Sequence, residues 1–218
     1  MILFPECQKK AQAQIEAVCG DRLPEMEDFD SLPYIRSTMK EVFRWLPAAT
    51  LGAVPHAVTQ DDYYMGYLIP KGAGVINNAY TISSDPSRYP DPRRFDPDRY
   101  KDDHNTIAET ATSSDVNVRD HFTFGAGRRI CQGMHVAERS LFLGMSRLLW
   151  AFDFHPVSGK APDPTRLTQG FLATPEKYEA VIRPREGRAL EIRKIWEDAQ
   201  SVLDGEGQWL VLPDELKS

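Results

Sequence analysis

The sequence predicts a mainly α-helical fold with small β-sheets. Two segments, Leu32 to Leu46 and Met134 to Phe152, carry apolar residues at helical spacing. Between them, Leu51 to Asn78 breaks into short β-like pieces separated by turn residues. The composition is that of a folded chain: 41% of the 218 residues are hydrophobic, at a mean hydropathy of −0.45, which excludes disorder. The 14 Gly and 16 Pro follow no period, which excludes a collagen-like or low-complexity chain.

The first helix spans Glu6 to Val18, built of good helix formers, with Gly20 just past its end. An acidic loop, Asp21 to Asp30, leads to a second helix, in which Ser31 can cap, Pro33 fits the first turn and Pro47 ends the run. Leu32, Ile35, Met39, Val42 and Leu46 define its apolar face. Ala53 to Thr59, Tyr63 to Ile69 and Gly74 to Asn77 read as strands, with turns at Gln60-Asp61-Asp62 and Pro70-Lys71-Gly72. Asp85 to Tyr100 is irregular, and Lys101 to Asp120 reads as a polar surface loop. The long helix after Gly133 places Met134, Ala137, Leu141, Met145, Leu148 and Phe152 on one face, widened by Phe142 and Leu149. The tail has β-like pieces at Leu167 to Leu172 and Tyr178 to Arg183. No internal repeat and no domain-dividing linker is visible.

Several function classes are excluded at this level. No run reaches the ~18 apolar residues of a spanning helix; the best, Leu141 to Phe152, is broken by Ser146 and Arg147. The opening Met1-Ile2-Leu3-Phe4 stops at Pro5 without a cationic start, unlike a secretory signal. A net charge of −6 argues against nucleic acid, whose phosphates need a basic surface. Three Cys suit a reducing compartment or one special thiolate better than a disulfide framework.

That thiolate is Cys131. Gly125, Gly127 and Gly133 let the backbone approach a flat ligand closely, Arg128 and Arg129 add positive charge, and the long helix begins just after the sulfur. These features favour thiolate, which suits a nucleophile or an axial ligand to a metal. A zinc site would use Cys131 and His135, one turn apart, with His121 upstream, whereas structural zinc takes four ligands. Cys7 and Cys19 read as small buried hydrophobes.

Phe124, Gly127, Arg129, Cys131 and Gly133 fill every position of F-x-x-G-x-R-x-C-x-G. Here the chain resembles the cytochrome P-450 family of heme-thiolate monooxygenases. The resemblance implies Cys131 as the axial ligand of heme iron, Arg129 beside a propionate and Phe124 beside the sulfur. Glu41 and Arg44, three apart on the second helix, are similar to the family's E-x-x-R. Phe95-Asp96-Pro97-Asp98-Arg99 resembles its F-x-P-x-R element, with Asp98 where Glu is commoner. A structural triad of Glu41, Arg44 and Arg99 is thereby implied. Val54-Pro55-His56 resembles the β-region whose basic residue meets a propionate, with His56 in place of the commoner Arg. Asp85-Pro86 and Tyr89-Pro90-Asp91-Pro92 match the family's connector.

Residues 1–218 therefore read as the C-terminal, proximal part of a single cytochrome P-450 domain of fungal or other eukaryotic type. The family's N-terminal half, with its membrane anchor and the A-G-x-[DE]-T helix over the distal heme face, is expected to be absent. Ala108-Glu109-Thr110, the nearest string, is a decoy in a proximal loop. Localisation is unreadable from this part; full-length members are often anchored in the endoplasmic-reticulum membrane. The resemblance implies an enzyme that inserts oxygen into a lipophilic small molecule with electrons from a reductase. Ala48 to Val54 and Phe171-Leu172 fall where substrate-contacting loops occur. A non-catalytic remnant is the alternative.

Overall fold

The computed structural model describes residues 1–52, 54–115, 117–119, 122–170, 172–208 and 210. Its elements run α1 (Pro5–Cys19), α2 (Pro33–Trp45), β1 (His56–Ala57), β2 (Asp62–Tyr64), β3 (Tyr67–Ile69), β4 (Gly74–Val75), α3 (Ala79–Ser83), α4 (Ile107–Thr112), α5 (Met134–Ala151), β5 (Phe152–Pro156), β6 (Ala180–Pro184) and α6 (Ala189–Ser201). Among the described residues the strands form three antiparallel pairs, β1 with β4, β2 with β3 and β5 with β6.

The core is where α1, α2 and α5 meet. Ala11 and Ile15, Leu32, Ile35 and Met39, and Phe142, Leu149 and Trp150 interlock there, with Ile107 of α4. Each fully buried large side chain contributes about 1.5–3 kcal/mol. Phe29 meets Phe142 edge-on at 5.0 Å. The outer edge of β5 is satisfied from α1: Gln8 donates to the Phe154 carbonyl (3.4 Å) and accepts from its N–H (3.0 Å), and Gln12 donates to the Phe152 carbonyl (3.1 Å).

Several expectations are corrected. Ser31 does not cap α2; Leu32 holds that position without a side-chain bond, and Pro33 starts the helix. Val42 faces outward. The piece Tyr63 to Ile69 is a hairpin, because Met65 and Gly66 both take positive φ (51° and 84°), the signature of a tight type I′ turn. Ala53, where the first strand was placed, lies outside the described residues, and that strand is confined to His56–Ala57. The loop expected at Lys101 to Asp120 contains α4, begun by a capping box in which Thr106 and Glu109 bond reciprocally. The buried row of α5 is Met134, Glu138, Phe142, Ser146 and Leu149, rotated from the expected stripe, and Leu148 is 50% exposed. Two polar residues sit in that row because they have partners: Glu138 meets Ile107 N–H (2.8 Å) and Ser146 meets the Leu143 carbonyl (3.2 Å). In the tail, Leu167 makes only an isolated bridge to Pro175, and α6 had no counterpart in the sequence reading.

Candidate functional site

Cys131 is exposed at the foot of α5. Its N–H donates to the Phe124 carbonyl (2.9 Å), closing the loop on itself. Gly125 and Gly127 take φ of 80° and 70°, which L side chains rarely adopt, so the glycines are required by the turn. A 3-10 turn, Gly127–Arg129, leads into the cysteine, and Gly133 holds the N-cap of α5. A Cβ on Gly133 would stand 3.6 Å from Cys131 Sγ, so the sulfur lies at the positive end of the helix.

The loop is held from three directions. The Phe124 ring meets Phe43 of α2 edge-on at 5.1 Å. Phe124 and Ile130 pack against a small cluster of Ala108, Ala111 and Met134. Asn77, just past β4, donates to the Phe122 carbonyl (2.8 Å). The side chains of Arg129 and of His56 on β1 are exposed, and among the described residues neither makes a hydrogen bond or ion pair.

Glu41, Arg44 and Arg99 come together in the structure. Arg44 bonds Glu41 through two nitrogens, Nε to Oε2 (2.6 Å) and Nη2 to Oε1 (2.7 Å), and both residues are fully buried. Arg99 Nε faces Glu41 Oε1 at 3.5 Å. The remaining guanidinium donors hold backbone. Arg44 reaches the carbonyls of Ser83 (3.0 Å) and Pro92 (2.9 Å), and Arg99 those of Pro90 (2.6 Å) and Asp91 (2.8 Å). The Pro-rich connector is thus what the arginines grip. Burial works against the Arg44 charge, but the bonds and charge of Glu41 outweigh it and hold its pKa above the ordinary value.

Sequence reasoning missed how much of α2 belongs to this framework. Arg36, Ser37, Lys40, Glu41 and Arg44 form a second buried row, polar throughout. Ser37 donates to the Tyr100 carbonyl (3.1 Å), Lys40 pairs with Asp103, and Arg36 donates to the His104 carbonyl (2.7 Å). Burial favours a neutral Asp103, yet the Lys40 ammonium prevails and lowers its pKa. Five polar side chains at helical spacing were the available signal, masked because charged rows usually face solvent.

The expected substrate loops are also adjacent: Ala173 N–H donates to the Ala48 carbonyl (2.8 Å), beside exposed Leu51 and Leu172. Phe171 lies outside the described residues, as does His121 of the zinc reading. Among the described residues no three His, Cys, Asp or Glu are grouped to hold a metal ion, and no helix is long and apolar enough to cross a membrane.

The sequence profile described as cytochrome P450 matches residues 1–182. The cytochrome P450 monooxygenase virE of Hypocrea virens is 50% identical over the whole chain, and fsoB of Humicola fuscoatra is 49% identical over 99% of it. The chain spans only 40% and 41% of the lengths of these relatives. A solved zebra fish cytochrome P450, with abiraterone, superposes with a TM-score of 0.71 at 30% identity, over 85% of this chain and 41% of that one. With matching motifs, fold and relatives, the chain belongs to the cytochrome P450 family.

Proposed function

We propose that this chain is the proximal, heme-thiolate part of a monooxygenase acting on a lipophilic small molecule, with electrons supplied by a reductase. The observation that carries the reading is the outward Cys131 thiol, set at the positive end of α5 in a loop clamped by α2, α4 and Asn77. The family implies heme, and the residues present fit it. The cysteine is free and faces solvent, and beyond the adjoining residues nothing described lies within 4 Å of a Cβ position at Gly125 or Gly127, which leaves room beside the loop for a flat plate. When bound, heme would supply the activation of oxygen.

The protein's own residues then have separate tasks. Cys131 would hold the iron as a thiolate, stabilised by the N-terminal end of α5. The Cys131 N–H, already committed to the Phe124 carbonyl, fixes the backbone from which the sulfur projects. Arg129 and His56, exposed and without protein partners among the described residues, are free to meet propionates. Glu41, Arg44 and Arg99 lock the Pro-rich connector rather than take part in chemistry. Leu51, Val54 and Leu172, apolar and exposed, suit a lipophilic substrate.

The test is a chimera in which this chain replaces the matching segment of the Hypocrea virens relative. Cys131→Ser should abolish the thiolate-type band of the reduced carbon monoxide complex; a variant that keeps the band refutes the ligand assignment. Heme binding by the chimera without turnover of any lipophilic substrate would instead favour a non-catalytic remnant.

A further inference from the structure

Glu138 is the single acidic residue of α5, it is buried, and the proposed heme-thiolate reading gives it no task. A buried carboxylate persists where a specific partner compensates its lost hydration. Here Oε1 accepts the N–H of Ile107, the first residue of α4, at 2.8 Å. The neighbouring donors at this helix start are already taken: Thr106 N–H by Glu109 Oε2 (2.7 Å) and Glu109 N–H by Thr106 Oγ1 (3.2 Å). Glu138 therefore takes one of the donors that the capping box leaves over and ties α4 directly to α5.

What α4 supports is the cysteine loop. Its Ala108 and Ala111 pack with Met134, and Phe124 and Ile130 lie against the same cluster. Phe124, Ile130 and Met134 bracket Cys131 from both sides in sequence, so α4 is the floor on which the loop rests. The two alanines let the floor approach closely. On its other side the segment entering α4 is tied to α2 by Lys40 with Asp103 and by Arg36 with His104 and Asn105.

We propose that Glu138 is a positioning residue for the Cys131 loop: by fixing α4 against α5 it holds the surface that sets where the sulfur points. The consequence at iron rests on the heme-thiolate reading, whereas the effect on the loop is measurable without heme.

The test is amide hydrogen exchange on the full chain carried in the chimera, first without heme. Glu138→Ala should speed exchange over residues 122–134 about tenfold, as loss of a charge-assisted bond would, and leave Pro5–Cys19 unchanged. Glu138→Gln keeps an acceptor of the same reach and should restore protection. After heme loading, Glu138→Ala should move part of the reduced carbon monoxide complex from the thiolate-type to the thiol-type band, and Glu138→Gln should not. Unchanged exchange over 122–134 in Glu138→Ala, or failure of the Gln variant to restore it, overturns the proposal. Should Glu138→Ala loosen α1 as well, the milder Ala111→Gly decides: faster exchange confined to 122–134 upholds the floor role, and no local change overturns it. If the loop responds as expected but Cys131→Ser keeps its thiolate band, the positioning role stands and the heme-thiolate reading falls.

Discussion

Glu41 is the buried anion around which the framework is arranged. One carboxylate faces two guanidinium groups and also accepts the Asp96 N–H at 2.7 Å, with no solvent access. Glu41→Ala would leave buried Arg44 charged without its counter-ion, a change that costs about 3–5 kcal/mol in comparable sites. We expect thermal unfolding of the chimera to drop accordingly and heme to be lost on gel filtration. A variant with unchanged melting temperature and full heme would show that the carbonyls around Arg44 suffice. This group was legible in the sequence because E-x-x-R places both residues on one helix face and Arg99 follows in a recognisable string. Glu138 was not, since nothing in a linear pattern says that a lone acid on an apolar helix faces another helix's first N–H. Gly52 was equally silent: its φ is 61°, and a Cβ there would stand 2.5 Å from the Asn77 carbonyl oxygen, a close approach made only in three dimensions.

At the scale of elements, α2 and α5 were legible because each combines an apolar period with a Gly or Pro boundary, and α1 because a run of good helix formers ends at Gly20. On α5 the expected face is shifted rather than lost: Met134, Phe142 and Leu149 are buried, Leu141, Met145 and Phe152 pack on the core, and the partnered Glu138 and Ser146 enter the buried row while Leu148 turns outward. The capping box of α4 was written in Thr106 to Glu109 but lay inside a polar stretch, and the six-residue helix is too short to show a period. The missed α6 has a physical anchor just before it. Arg188 donates to the Gly20 carbonyl (2.6 Å) and to Asp21 (2.7 Å) and lies 4.5 Å over the Trp150 ring, so it closes the end of α1 and fastens the tail. Ile192 and Ile195 then pack on the core. Its acidic partners Glu16 and Asp21 are solvated, so Arg188→Ala strands no buried anion, and we expect a loss of only about 1–2 kcal/mol. Limited proteolysis should cut α6 first while Pro33–Trp45 stays protected; equal cutting of both would mean that the tail is integral to the core.

The whole molecule leaves much apolar surface in water. Tyr63, Tyr64, Met65, Tyr67 and Leu68 are exposed on the β2–β3 hairpin, as are Val75 and Ile76 nearby in sequence and Val136 and Leu148 on α5. Two-stranded sheets are marginal alone, and contiguous apolar surface drives association. The relatives are about two and a half times as long. Expressed by itself, the chain should elute from gel filtration as assemblies and fail to oxidise substrate with a reductase; a monodisperse monomer that binds heme and turns over would show that it is self-sufficient. The outward thiol of Cys131 also has a practical consequence. Cys7 and Cys19 are buried, and burial raises both their pKa values, so they are poor targets for alkylation at neutral pH. In its heme-free form the native sequence therefore already carries one addressable attachment point: a fluorophore or spin label would land on the loop of interest with no cysteine removed, and its mobility would report the stiffness of that loop before heme is bound.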